Sequence, residues 1–324
     1  MEARRVQKLG QASLVVTLPK DWVKRVGLKP GDTVYVMEDG ETLRILPGAK
    51  AAQQPVRCVK VSLDELSEMK VRLEHVVRCA YMLGYESVLV EGGLPLISEA
   101  RRVAQSMSGV EVLIRDNSVE VRSLVDVSRL DVASLVKSIA SLMAEMVRVF
   151  ETYLKRGEGD VLHYVRSLYE EALRLIHLAN KKLIAETSMP GTRRTPAPLL
   201  IATALTGLAA GMFIDSFEYF IETCRGECLE KGNGRIAAAL EEVSRVVSRV
   251  FNALARSDAQ QIIAASGTLH RLKRELRKAL DESTEKPYIV LVSRMLDIVE
   301  TLLAVNGIAV CLALKPLLDK KSTA

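Results

Sequence analysis

Hydrophobic and polar positions change period twice along the chain, and each change marks a change of structure. In the first fifty residues the apolar positions form short β-branched runs broken by proline and glycine. Ser13-Leu14-Val15-Val16-Thr17-Leu18 reads as a strand that Pro19 stops. Pro19 then suits the first turn of a helix, where its missing N–H costs nothing. The helix, Lys20 to Val26, should end at Gly27 in a left-handed cap. Pro30-Gly31-Asp32 turns into a second strand, Thr33 to Met37. Glu38-Asp39-Gly40-Glu41, centred on Asp39-Gly40, turns into a third, Thr42 to Leu46. A unit of about forty residues with so few apolar side chains cannot bury a core alone. This predicts an obligate dimer.

After a short linker the period alternates between strand and helix. Val56 to Val61 is strand-like and Leu63 to Leu83 helical. Ser87 to Val90 is a second strand, Leu94 to Met107 a second helix, and residues 110–124 a hairpin around Asp116-Asn117. The order implies a small α/β domain with at least one crossover. From Asp126 onward strand patterns vanish. Leu135, Ile139, Leu142, Met146, Val149 and Tyr153 recur at 4-3-4-3-4 spacing. Five further segments follow: Val161 to Leu183, Pro198 to Cys224, Ile236 to Leu254, Ile262 to Ala279 and Val292 to Val310. Two successive sets of three antiparallel helices are the economical packing. The predicted fold is multidomain: a small β unit over 1–48, an α/β domain over 55–125, and helical bundles over 126–225 and 226–318.

Charge sharpens the reading of the first segment. The chain carries 45 Lys/Arg against 40 Asp/Glu, a formal net charge of +5. Six of these cations (Arg4, Arg5, Lys8, Lys20, Lys24, Arg25) face only Glu2 and Asp21 within residues 1–28. Residues 29–48 are net acidic. A concentrated basic segment is the footprint of a phosphate-backbone binder. Aromatic content of 4% disfavours stacking platforms for single-stranded nucleic acid.

The stretch SLVVTLPKDWVKRVGLKPGDTVYV resembles the SpoVT/AbrB (MazE-like) swapped-hairpin DNA-binding family over roughly residues 4–47. The resemblance lies in the strand ending VTLPK, the short helix, and the L-x-x-GD-x-V turn. It implies an intertwined homodimer whose basic residues contact DNA: Arg4, Arg5, Lys8, Lys20, Lys24 and Arg25. Trp22 is read as a core or dimer-interface residue.

The third helix of each set carries similar sequence: FIDSFEYF (Phe213 to Phe220) lies over MLDIVETL (Met295 to Leu302), placing Asp215 on Asp297 and Glu218 on Glu300. This repeat resembles PhoU, the phosphate-uptake regulator, and the whole order resembles archaeal chains joining an AbrB-like head to PhoU-like helices. The resemblance implies regulation of phosphate uptake, with a phosphate transporter or sensor kinase as partner. It also implies a divalent or ferric metal held by Asp215, Glu218, Asp297 and Glu300. The PhoU motif, acidic-x-x-x-Asp, is not kept: the residues four on from Asp215 and Asp297 are Tyr219 and Thr301. The alternative function is a non-transcriptional adaptor that inhibits a transporter or kinase, its head serving only to dimerise.

The remaining signals exclude more than they assign. No Ser/His/Asp, Cys/His or phosphate-loop constellation supports an enzyme. Glu91-Gly92-Gly93 lacks phosphate-loop spacing. Cys58, Cys79, Cys224, Cys228 and Cys311 are dispersed, which points to a reducing compartment, and Cys224-x-x-x-Cys228 is not zinc-typical. No apolar leader opens the sequence, so a cytoplasmic location is expected. Thr195 to Ile214 is uncharged, but Pro196 and Pro198 should leave about sixteen helical apolar residues, too few to span a membrane. The run His270 to Lys278 reads as a solvated basic face.

Overall fold

The computed structural model describes residues 3–10, 13–39, 42–48, 58–92, 94–156, 161–188, 196–224, 233–256 and 258–322. The chain divides into two compact units, the N-terminal head and the body from Arg57 onward. The head holds two antiparallel hairpins, β1 (Gln7–Leu9) with β2 (Ser13–Val15) and β3 (Val34–Asp39) with β4 (Thr42–Pro47), with helix α1 (Lys20–Val26) between them. β1 is an element the pattern did not predict, because QKL has no β-branched run. β3 pairs with β4 from Val34 with Pro47 to Asp39 with Thr42; Gly40 and Glu41 of the predicted turn lie outside the described residues.

The body opens with β5 (Cys58–Ser62), α2 (Leu63–Met69), α3 (Leu73–Met82), β6 (Ser87–Glu91), α4 (Leu94–Gln105), β7 (Val110–Arg115) and β8 (Ser118–Ser123). The single helix predicted over Leu63 to Leu83 is in fact two. A capping box at Ser62 and Glu65 starts α2, and Lys70 in the left-handed conformation (φ 53°) ends it. The sheet order is β5-β6-β8-β7, with β5 parallel to β6 and the rest antiparallel. Val61, Val88, Val90, Val119 and Val121 face the helices and form the core of this domain.

Six long helices follow: α5 (Val132–Arg156), α6 (Val161–Ser188), α7 (Pro196–Thr223), α8 (Asn233–Arg256), α9 (Ala259–Glu282) and α10 (Lys286–Ser322). Pro196 and Pro198 sit in the first turn of α7, which tolerates proline, so the helix runs its full 28 residues instead of being cut. By length and composition α7 and α10 could each cross a membrane; both pack into the bundle core. The two sets of three share one core. α5 packs on α6 and α8, α7 on α6 and α10, and α9 on α8 and α10, closing a ring of helices. Ile139 and Met146 of the predicted stripe are buried and its other members are half-buried; because α5 has neighbours on both sides, the buried face widens to take in Val136, Ala140, Met143, Val147 and Phe150. At the centre, Phe150 lies 4.2 Å from Phe217 and within 6 Å of Phe213 and Phe220, ring centre to ring centre.

The α/β domain docks on the C-terminal half of α6. Leu178 joins its core, and Lys181 is buried against it, donating to Ser123 Oγ at 2.6 Å and lying 4.2 Å from the Tyr81 ring centre. Burial lowers the Lys181 pKa to about 8, while Glu86 nearby opposes the shift. Beside it burial, reinforced by Arg78, lowers the His177 pKa to about 4. A lysine depressed in the folded state binds fewer protons there than when unfolded, so stability should rise as pH increases from about 8 towards 10.5. Lys181→Met keeps the stem packed and removes the charge. It should raise stability at pH 7 by about 1–2 kcal/mol and abolish that rise, as read by denaturant unfolding across pH.

Candidate nucleic-acid interface

The basic residues of the head are placed by two elements. Pro19 opens α1 and Gly27 closes it in the left-handed conformation (φ 71°), its N–H donating to Lys24 O at 3.2 Å. Between these stops the helix has two sides. Trp22, Val23 and Val26 are half-buried, whereas Lys20, Asp21, Lys24 and Arg25 are exposed. Lys20 and Lys24 are one turn apart on a shared face, with Arg25 beside them. Lys8 sits mid-strand in β1 opposite Leu14 and is exposed, and Arg4 and Arg5 precede that strand, also exposed. Among the described residues Lys8, Lys20, Lys24 and Arg25 have no ion-pair partner. Their charge is available to an anion outside the chain.

The turn after α1 is fixed by its own side chain. Asp32 Oδ2 accepts from the Lys29 N–H at 2.7 Å, and Gly31 takes φ 90°, where only glycine is unstrained. This holds the entry to β3, and the Gly48 N–H closes the unit onto Thr33 O at 2.8 Å.

None of the head residues whose side chains are described is buried. Leu9, Leu14, Tyr35, Val36 and Leu43 are each more than half exposed, as is Val6. A single copy of the head thus presents on its surface the apolar side chains that would form its core. Trp22 is half-buried, as a residue completing such a core would be in one copy.

The acidic candidates of the bundle are not brought together. Asp215 is exposed on α7; Glu218, one turn on, is held by Arg166 of α6 at 2.6 Å. On α10, Asp297 lies 3.4 Å from Arg294, and Glu300 meets Lys273 at 2.6 Å and Arg277 at 3.8 Å. Lys273 holds the Glu300 carboxyl below the usual carboxylate range. Among the described residues no three His, Cys, Asp or Glu side chains converge on a metal position. Glu218, Asp297 and Glu300, each already paired with a cation, do not fit the predicted metal cluster.

Other sequence signals find local partners. In the basic run of α9, Arg271 pairs with Glu242, Lys273 with Glu300 at 2.6 Å and Lys278 with Glu282 at 3.9 Å, so among the described residues most of its cations are paired within the bundle, Arg274 excepted. The Gly92 N–H is taken by Asn117 O at 2.9 Å and cradles nothing; Gly93 lies outside the described residues. Gly207 and Gly211 face Ile176 and Tyr169 of α6, where an added Cβ would make ordinary contact at 3.7 and 3.5 Å. Cys224 is buried and disulfide-bonded, unlike the free thiols expected from the dispersed set; Cys228 lies outside the described residues.

Comparison with known families places the head. Residues 7–53 match the family described as antidote-toxin recognition MazE, bacterial antitoxin. The match begins at Gln7, so Arg4 and Arg5 precede it, and it leaves the body of the chain unmatched. No curated protein and no solved structure matches the chain. The head, residues 7–53, is a MazE/AbrB-like domain.

Proposed function

We propose that this chain is a non-enzymatic, cytoplasmic DNA-binding regulator. Two heads intertwine as a homodimer and grip the DNA backbone, while the helical body receives the signal. The observation that carries the reading is the pairing of two features in one small domain: exposed cations, of which Lys8, Lys20, Lys24 and Arg25 have no ion-pair partner among the described residues, and an exposed apolar set that a second copy would cover. Arg4, Arg5, Lys8, Lys20, Lys24 and Arg25 are the residues assigned to phosphate contact. Binding of the full chain to duplex DNA carrying its own promoter, followed by fluorescence anisotropy, should weaken with salt by about 0.9 log units per log unit for each phosphate neutralised. A flat salt response would overturn the DNA-contact role.

For the body, we read the two sets of three helices as a PhoU-like repeat that reports phosphate status through a transporter or sensor kinase. Its supports are the aligned third helices (Asp215 on Asp297, Glu218 on Glu300) and the packing of like on like, α5 on α8 and α7 on α10. The metal branch of that resemblance is dropped, since Glu218, Asp297 and Glu300 are each paired with a cation and, among the described residues, Asp215 joins no group of ligands. Isolating partners of the full chain from cells grown in high and low phosphate tests this part. Partners unchanged by phosphate would remove it and leave the DNA-binding role standing.

A further inference from the structure

The sheet of the body has an open edge at β5, its first strand. Among the described residues β5 is hydrogen-bonded to β6 along one side only, and its other side has no strand partner. Protein sheets usually blunt such an edge with proline, a bulge or an outward charge. β5 has neither proline nor bulge. Its one charge, Lys60, is paired with Glu91 at 2.7 Å. Alongside the strand runs a groove of about 470 Å³, with Val59, Val71, Val76, Cys79, Leu83 and Tyr85 on its walls. Val71 and Leu83 are 37% and 52% exposed there. An unblunted edge next to exposed apolar side chains is the arrangement used for strand addition.

We propose that the occupant is the β5 edge of a second copy of this chain, so that the two four-stranded sheets join as one across the dimer axis. This rests on the dimeric reading of the head. Nine residues separate Gly48, the last described residue of the head, from Cys58, the first of β5. Ten peptide steps reach at most about 35 Å. Two such tethers from one head dimer confine the two β5 edges to a common volume, where pairing becomes effectively intramolecular. A two-fold axis relating identical edge strands makes them antiparallel, which lets β5 pair with itself. The alternation of β5 is compatible: Val59 and Val61 lie on the helix-covered face and Cys58, Lys60 and Ser62 on the other, so any in-phase register sets valine near valine. The groove walls then meet across the axis and cover Val71 and Leu83. The opposite edge, β7, has no such tether.

The test uses the full-length chain with the free thiols Cys58, Cys79 and Cys311 changed to serine. Single cysteines are then placed at each β5 position in turn, by reversion of position 58 or by Val59→Cys, Lys60→Cys, Val61→Cys or Ser62→Cys, with Arg115→Cys on β7 as the comparison. Sedimentation fixes the oligomeric state of each. A paired edge brings at least one β5 position within disulfide reach of its copy, so mild oxidation should give a covalent dimer at least tenfold faster there than at Arg115→Cys. A chain that sediments as a dimer yet forms no β5 disulfide, or forms it no faster than at β7, overturns the shared sheet and leaves the head dimer intact. A monomeric chain overturns both.

Discussion

Changing Lys20, Lys24 and Arg25 together to alanine is expected to cost on the order of 10³ in affinity for DNA. These three side chains are exposed on one short helix, and none has an acidic partner among the described residues. In a dimer they supply six cations, so their loss should also flatten the salt dependence by about five log units per log unit. The change should leave the dimer intact, because the apolar side of α1, formed by Trp22, Val23 and Val26, is untouched. Anisotropy titrations at several salt concentrations measure the first effect and sedimentation the second. Unchanged affinity would mean that the head only dimerises, the role the adaptor alternative gives it. Dissociation of the dimer would make the three residues structural.

The largest expected effect on stability lies in the bundle. Phe150 is fully buried and touches Phe213, Phe217 and Phe220 of α7 across the centre of the helix ring, while Phe220 in turn meets Tyr288 of α10 at 5.5 Å. Phe150→Ala should lower stability by about 3–5 kcal/mol, through lost burial and a cavity that close-packed helices cannot collapse into. Part of the loss comes from the edge-to-face contacts, which contribute about 0.5–1.5 kcal/mol each beyond burial. Denaturant unfolding of the full chain reads it, and Phe150→Leu should recover more than half. A loss below about 1 kcal/mol would contradict the close packing of this aromatic cluster.

How far the sequence carried can be judged at particular residues. Pro19 and Gly27 mark the ends of α1 because each restricts the backbone locally, whatever surrounds it. The same is true of Asp116-Asn117 between β7 and β8. Lys70 gave no such mark. Lysine in the left-handed region is held there by capping and by the packing of α2 and α3, so one predicted helix became two. The cations of the head and those of α9 look alike as strings of letters. What separates them is that Arg271, Lys273, Arg277 and Lys278 find carboxylates on their own or neighbouring helices, and Lys20, Lys24 and Arg25 find none. Asp215 and Asp297 likewise align in sequence, yet their neighbours Glu218 and Glu300 are held by Arg166 and Lys273.

By itself the sequence determined most of the order of elements, apart from β1 and the break at Lys70, together with the basic head and the run of six long helices. Those properties depend on the hydrophobic period, on proline and glycine, and on net charge within a segment, all of which are local. The tertiary structure alone decided that six helices share one core, that Lys181 and Leu178 of a helix fasten the α/β domain to it, and that β5 is an open edge. It also decided which charges remain available. Each of these depends on residues far apart in the chain arriving at the same place, and burial, pairing and strand order exist only after they have met.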